Sequence, residues 1–160
     1  MGFDIARAQV SEEDVAALLD RHFELMRAQS PEESCHVLPA EDLAAADVSL
    51  FALRDQGQLL AIGAIRNFGD WGELKSMHTA QEARGRGAGK AMLTALMQEA
   101  RALGLKYLNL ETGSGAEHLA ARRLYETAGF SECPPFGDYV ADPLSVFMTR
   151  TLRVPEQQGI

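Results

Sequence analysis

The chain has 160 residues, 17.4 kDa, 46% hydrophobic and 24% charged, enough for one domain that buries about 70% of its unfolded surface without a disulfide or metal staple. Fifteen Lys and Arg against 23 Asp and Glu give a net charge of −8. That balance excludes a general nucleic-acid binder, which needs a basic face to displace counterions from phosphates. Only Cys35 and Cys133 are present, with no CxxC pair, which excludes a disulfide framework and a cysteine-rich zinc site; both read as packing residues. His22, Cys35 and His36 lack metal-ligand spacing, so no metal site is expected. No apolar run is long enough to span a bilayer. The N-terminus lacks a signal pattern, and Met1-Gly2 lacks the Ser/Thr at position 6 of a myristoylation site. The expectation is a cytoplasmic, reduced protein with one domain over 1–154, a loose polar tail over 155–160 and no membrane partner.

In chain order, Phe3 to Val10 alternates as a short edge strand. Ser11 reads as the N-cap of a helix whose first turn is acidic (Glu12, Glu13, Asp14), with Val15, Leu18, Leu19, Phe23 and Met26 at helical spacing. Ser30-Pro31 ends it. A second short helix opens at Pro39 and runs through Leu43 and Ala46. Strands over 48–53 and 59–65 flank a turn at Asp55–Gln58. Trp71 to Thr79 is a third strand of this meander, in which Leu74, Ser76 and His78 are expected to face opposite to Lys75, Met77 and Thr79. The period then changes. Met92, Leu93, Leu96, Met97, Ala100 and Leu103 mark one face of a long helix stopped by Gly104. A strand at Tyr107–Glu111, a helix over 116–128 closed by Gly129, and a strand at Val146–Leu152 complete a mixed α/β chain.

The segment Arg84-Gly85-Arg86-Gly87-Ala88-Gly89-Lys90 lies between a strand and the long helix. Alternate glycines let the backbone turn and approach a ligand closely. The free N–H groups of the first helical turn then converge where the helix dipole favours an anion. With Arg84, Arg86 and Lys90 added, this is a diphosphate cradle in an acidic chain. It is not a P-loop, because Arg84 replaces the first glycine and Ala91 the magnesium-binding hydroxyl. It is not a dinucleotide fingerprint, because Lys90 stands where the third glycine belongs. Arg84, Gly87 and Gly89 satisfy a third pattern, [Q/R]-x-x-G-x-[G/A].

With that pattern the chain resembles the GNAT superfamily of acyl-CoA-dependent N-acyltransferases, which bind the coenzyme A pyrophosphate there. Glu73–Thr79 resembles the family's fourth strand, Leu108–Gly113 its fifth, and Ala121-Arg122-Arg123-Leu124-Tyr125 through Gly129-Phe130 its A-x-x-L-Y-x-x-x-G-F helix. The resemblance covers residues 48 to 152. It implies a central, mostly antiparallel twisted sheet, splayed between strands 4 and 5 and flanked by about four helices.

The resemblance also assigns roles. The Met77 N–H would polarise the thioester carbonyl. His78 and Thr79 would line the pantetheine, with Thr79 bonding its amides as an added strand. Arg84, Gly85, Arg86, Gly87, Ala88, Gly89 and Lys90 would hold the pyrophosphate. Tyr125, a phenol protonated at neutral pH, is the candidate acid for the leaving thiolate as well as a cofactor contact. Glu73 is the candidate base, unless it only pairs with Lys75 or Arg66; Glu111 is the second candidate. Asn109 is expected to hydrogen-bond within the sheet. His118 stands where the family helix commonly has a cofactor-contacting Asn, and Gln81 where it commonly has Pro.

The implied activity is acetyl transfer from acetyl-CoA to a primary amine of a small or amino-acid-like acceptor, by direct attack in a ternary complex. Asp138, Tyr139, Asp142 and the net charge suit a cationic amine. Acetylation of a protein or peptide amine, and non-catalytic acyl-CoA sensing, are the alternatives. Such folds commonly form homodimers, but no interface is specified by sequence.

Overall fold

A computed structural model describes residues 2–29 and 39–152. The expected helix end at Ser30-Pro31, Cys35, His36 and the tail over 155–160 lie outside the described residues. Seven strands form one sheet in the order β1-β2-β3-β4-β5-β7-β6. They are β1 (Asp4–Arg7), β2 (Val48–Asp55), β3 (Gln58–Asn67), β4 (Trp71–Thr79), β5 (Tyr107–Gly113), β6 (Ser131–Glu132) and β7 (Ser145–Thr151). The helices are α1 (Glu13–Gln29), α2 (Ala40–Leu43), α3 (Ala88–Ala102) and α4 (Leu119–Thr127).

The meander β2-β3-β4 is antiparallel and tight. Gln56 and Gly57 both take left-handed backbone angles in the β2-β3 turn, the conformation that matches the twist of a two-residue hairpin. Leu60 to Ile65 of β3 are all buried, because this strand is covered on both faces. His78 of β4 meets His22 of α1 on one face. On the other face, a Cβ on Gly63 would meet Leu96 and Met92 of α3. The core, with Leu53, Ile62, Ile65, Leu96 and Leu108 fully buried, therefore lies between α3 and the sheet and between the sheet and α1.

One join in the sheet differs in kind. β4 and β5 run parallel and pair only at Trp71↔Tyr107, Gly72↔Leu108 and Glu73↔Asn109. Beyond these three pairs the strands part, and the sheet opens as a V whose second arm is β5 with β7 and β6. This matches the expected splay between strands 4 and 5.

Four local expectations are corrected. α1 begins at Glu13, and Ser11 does not cap it: its hydroxyl lies 3.5 Å from the Gln9 side chain, while the Glu12 carboxylate accepts the Gln9 N–H at 2.6 Å. α2 ends at Leu43 rather than Ala46, being too short to add an apolar stripe. The helix expected over 116–128 opens with a 3₁₀ turn at Ala116–His118 before α4. The strict alternation expected along β4 fails at Ser76, for the reason given next.

Candidate active site

Along β4 the register slips from Ile62↔His78 to Ala64↔Lys75. Ser76 and Met77 thus share one partner position, Gly63, and Ser76 adopts φ +56°. This is a β-bulge, which takes residues out of the hydrogen-bond ladder and re-aims side chains. Gly63 makes room for it: a Cβ there would approach the Met77 sulfur at 2.8 Å. Met77 consequently faces α3, whereas Lys75 turns to Tyr139 on the other face. The Ser76 hydroxyl is buried without a hydrogen-bond partner among the described residues.

Downstream of the bulge the chain turns through Arg84–Gly87 into α3. Gly85 and Gly87 have φ of +83° and +84°, left-handed values that strain any residue carrying a Cβ. Gly87 is the N-cap of α3 and supplies no side-chain cap, which leaves the first-turn amides facing outward for an anion. Of the twelve residues expected to hold the cofactor, eleven line one cleft of about 670 Å³ running from the mouth of the V to this turn. Arg86 is the one turned away: its guanidinium pairs with Asp55 at 2.5 Å and lies over the Phe3 ring. Arg84 and Lys90 are the cations left at the cradle. Leu25 and Met26 of α1 reach the same cleft, which sequence reading did not anticipate.

The far wall is the β5–α4 connection. Arg122 donates to the carbonyls of Gly113 (2.6 Å) and Gly115 (2.9 Å), stitching that loop to α4. A Cβ on Gly113 would overlap the His118 imidazole, so the ring rests directly on the backbone; burial pushes its pKa down. One turn and more into α4, Tyr125 lines the cleft, is 6% exposed and meets Phe130 edge-on at 5.9 Å. Burial, helped by the Glu111 charge, pushes the phenol up to about 12.

On the α1 face, at the root of the V, lies a second cluster. Glu73 is buried, and its Oε2 accepts from the Tyr139 hydroxyl at 2.5 Å and from Lys75 Nζ at 3.3 Å. Lys75 also donates to the Tyr139 oxygen at 3.0 Å. The pairing of Glu73 with Lys75 was legible in sequence; the third member, 64 residues beyond Lys75, was not. Tyr139 is brought there by an aromatic stack in which Phe136 packs edge-on to Trp71, Tyr139 and Phe147. Burial and the Glu73 charge raise the Tyr139 phenol well above its ordinary value. On β5, Glu111 accepts from Ser145 Oγ at 2.8 Å. Burial lifts its carboxyl to about 7 against the opposing pull of Ser145 and Lys75. Asn109 pairs in the sheet with Glu73 and Thr149, and its side-chain oxygen is buried and unpartnered among the described residues.

Deeper on the same face, His22 and His78 meet Nδ1 to Nδ1 at 3.1 Å. One Nδ1 must carry a proton and the other a lone pair, so the accepting imidazole is neutral. Burial, together with the charges of His78 and Lys75, drops His22 to about 3. Burial, with Arg84 and Arg21, lowers His78.

No helix among the described residues is long and apolar enough to cross a membrane, and no group of three or more metal-binding side chains occurs among them. The model of the acetyltransferase (GNAT) family matches residues 13–130. The N-acetyltransferase YsnE of Bacillus subtilis, itself uncharacterized, is 39% identical over 139 residues, 86% of this chain and 92% of that protein. A crystal structure from Klebsiella pneumoniae, provisionally named an acyl-CoA N-acyltransferase, superposes with a TM-score of 0.76 at 30% identity, covering 94% of this chain and 98% of the other. The PaiA N-acetyltransferase of Thermoplasma acidophilum, solved with coenzyme A, shares the fold at a TM-score of 0.71 and 13% identity, covering 94% and 99%.

Proposed function

Since the chain belongs to the acetyltransferase (GNAT) family, we propose that it moves an acetyl group from acetyl-CoA to the primary amine of a small or amino-acid-like acceptor, by direct attack in a ternary complex. An acyl-CoA donor goes with that membership. The observation that carries the reading is one cleft with a diphosphate cradle at one end and a buried phenol in its wall, beside two carboxylates on the strands that form the V. Each part has a task.

The donor's pyrophosphate suits the α3 N-terminus, where Gly85 and Gly87 keep the approach free of Cβ atoms and Arg84 and Lys90 supply charge. A Cβ on Gly89 would meet Thr79 Oγ1 at 3.4 Å and Leu124 at 3.5 Å, so the walls are close there. The bulge leaves the Met77 amide as the donor for the thioester oxygen. Tyr125 keeps its proton at neutral pH and gives it to the departing sulfur. A carboxylate of the β4–β5 pair, Glu73 or Glu111, takes the ammonium proton. The buried carboxylates and Asp142 favour a cationic acceptor.

The test follows thiol release from acetyl-CoA with a panel of primary amines. Tyr125→Phe should lower kcat about 100-fold or more with acetyl-CoA affinity nearly unchanged. Full activity in Tyr125→Phe removes the phenol from its role, and absence of turnover with every amine, despite binding, points to an acyl-CoA sensor.

A further inference from the structure

Glu73 and Glu111 occupy the same face of the sheet, because Glu73 pairs with Asn109 and Glu111 lies two residues further along β5. Their surroundings differ in two ways. Glu73 sits in the last β4–β5 pair, whereas Glu111 lies past it, on the part of β5 that β4 no longer pairs. Glu73 gives the same oxygen to a cation and a phenol. Glu111 Oε2 is held by one neutral hydroxyl, Ser145, with no cation in salt-bridge contact among the described residues. Between them lies Asn109, 5% exposed, whose side-chain oxygen accepts no hydrogen bond among the described residues.

An orphaned buried acceptor in line with two carboxylates is the site an N–H donor would complete. Resting on the function proposed above, we infer that Glu111 is the base that deprotonates the acceptor ammonium, that Asn109 orients that ammonium, and that Glu73 is a positioning residue that anchors the Tyr139 loop directly and through Lys75.

The groups facing Glu111 support the division. From β4 come Lys75 and Glu73, from the loop before β7 come Asp142 and Tyr139, from β7 comes Ser145, and from α4 comes Tyr125. Burial outweighs Lys75 and leaves the carboxyl near neutrality, where a base is most effective at physiological pH. The Glu111 charge also holds the Tyr125 phenol up. Proton uptake by Glu111 removes that charge and makes Tyr125 a better acid at the moment the thiolate departs.

The protons balance. One proton passes from the ammonium to Glu111 and leaves to solvent after turnover. The nitrogen lone pair forms the bond to the acyl carbon as the carbon–sulfur bond breaks. Tyr125 protonates the sulfur, and the second nitrogen proton, acidic once the new bond exists, restores the phenol.

The experiment compares pH profiles of thiol release with the best amine of the panel, and titrates the ¹³C-labelled glutamate carboxyls in the full-length protein. In the parent protein kcat/KM should fall tenfold per pH unit below about 7. Glu111→Gln should lower kcat about 100-fold or more, lose that limb, and lose one carboxyl resonance titrating near neutrality. Asn109→Ala should raise KM for the amine with the limb retained. Glu73→Gln should also raise KM and keep the limb. A limb that survives in Glu111→Gln and vanishes in Glu73→Gln reverses the assignment. If no amine turns over, the proposed activity falls by itself. The carboxyl titration then decides the inference: an ordinary carboxylate value for Glu111 overturns it, and a value near 7 upholds Glu111 as the proton acceptor.

Discussion

The two ends of the candidate site are built from different materials. At the α3 end the working groups are backbone amides presented by glycines, and the electrostatics come from the peptide itself. At the root of the V the working groups are side chains gathered from α1, β4, β5, the loop before β7 and β7. The first construction is local: seven consecutive residues specify it and it tolerates changes around it. The second depends on burial, so its protonation states follow from how the sheet and α1 close over it. A cleft made this way can grip an invariant diphosphate with one end while the other is retuned for a particular acceptor.

The largest expected contrast between the two ends is in acid. His22 stays neutral in the folded chain down to about pH 3, whereas the unfolded chain protonates near 6.5. Folding stability is therefore whole above about 6.5 and drains as pH falls toward 3, by an amount on the order of a few kcal/mol. Urea unfolding at pH 7 and pH 4 should show that slope flattened in His22→Gln; an identical slope in both proteins would place the acid sensitivity elsewhere.

Next comes the cradle. Gly87→Val forces a Cβ into φ +84° at a cost of about 1–2 kcal/mol; the free loop relaxes to escape that cost and the bound loop must restore it, so coenzyme A should bind roughly tenfold more weakly while the acid-unfolding slope stays that of the parent. Calorimetric titration reads the first effect; unchanged affinity would mean the amides of this turn do not carry the pyrophosphate. The smallest effect is expected at Tyr139→Phe, which removes the hydroxyl on Glu73 but keeps the aromatic stack. Stability should fall by about 1 kcal/mol, and amide exchange should quicken over 136–144 and not in α3. Exchange rising equally in both regions would show that the two ends are mechanically one.

Much of this protein was legible because its strongest signals are local. Glycines at 85 and 87, the strand-to-helix switch at 88 and the Leu124-Tyr125 helix each report their own backbone or face, and the family resemblance supplied the splay between strands 4 and 5. The failures share a cause. The Ser76 bulge is set by the missing side chain of Gly63 on the neighbouring strand. Arg86 left the cradle because Asp55 and Phe3 lie beside it. Tyr139 reached Glu73 on an aromatic stack assembled from three parts of the chain.

By itself the sequence determined where an anion cradle forms, since a helix N-terminus opened by glycines is written in consecutive residues. Only the tertiary structure decided which carboxylate is pinned and which is left near neutrality, because Glu73 and Glu111 are the same residue type on the same face. Their difference is made by Lys75, Tyr139 and Ser145, which close on one oxygen or the other only when the strands have paired and parted.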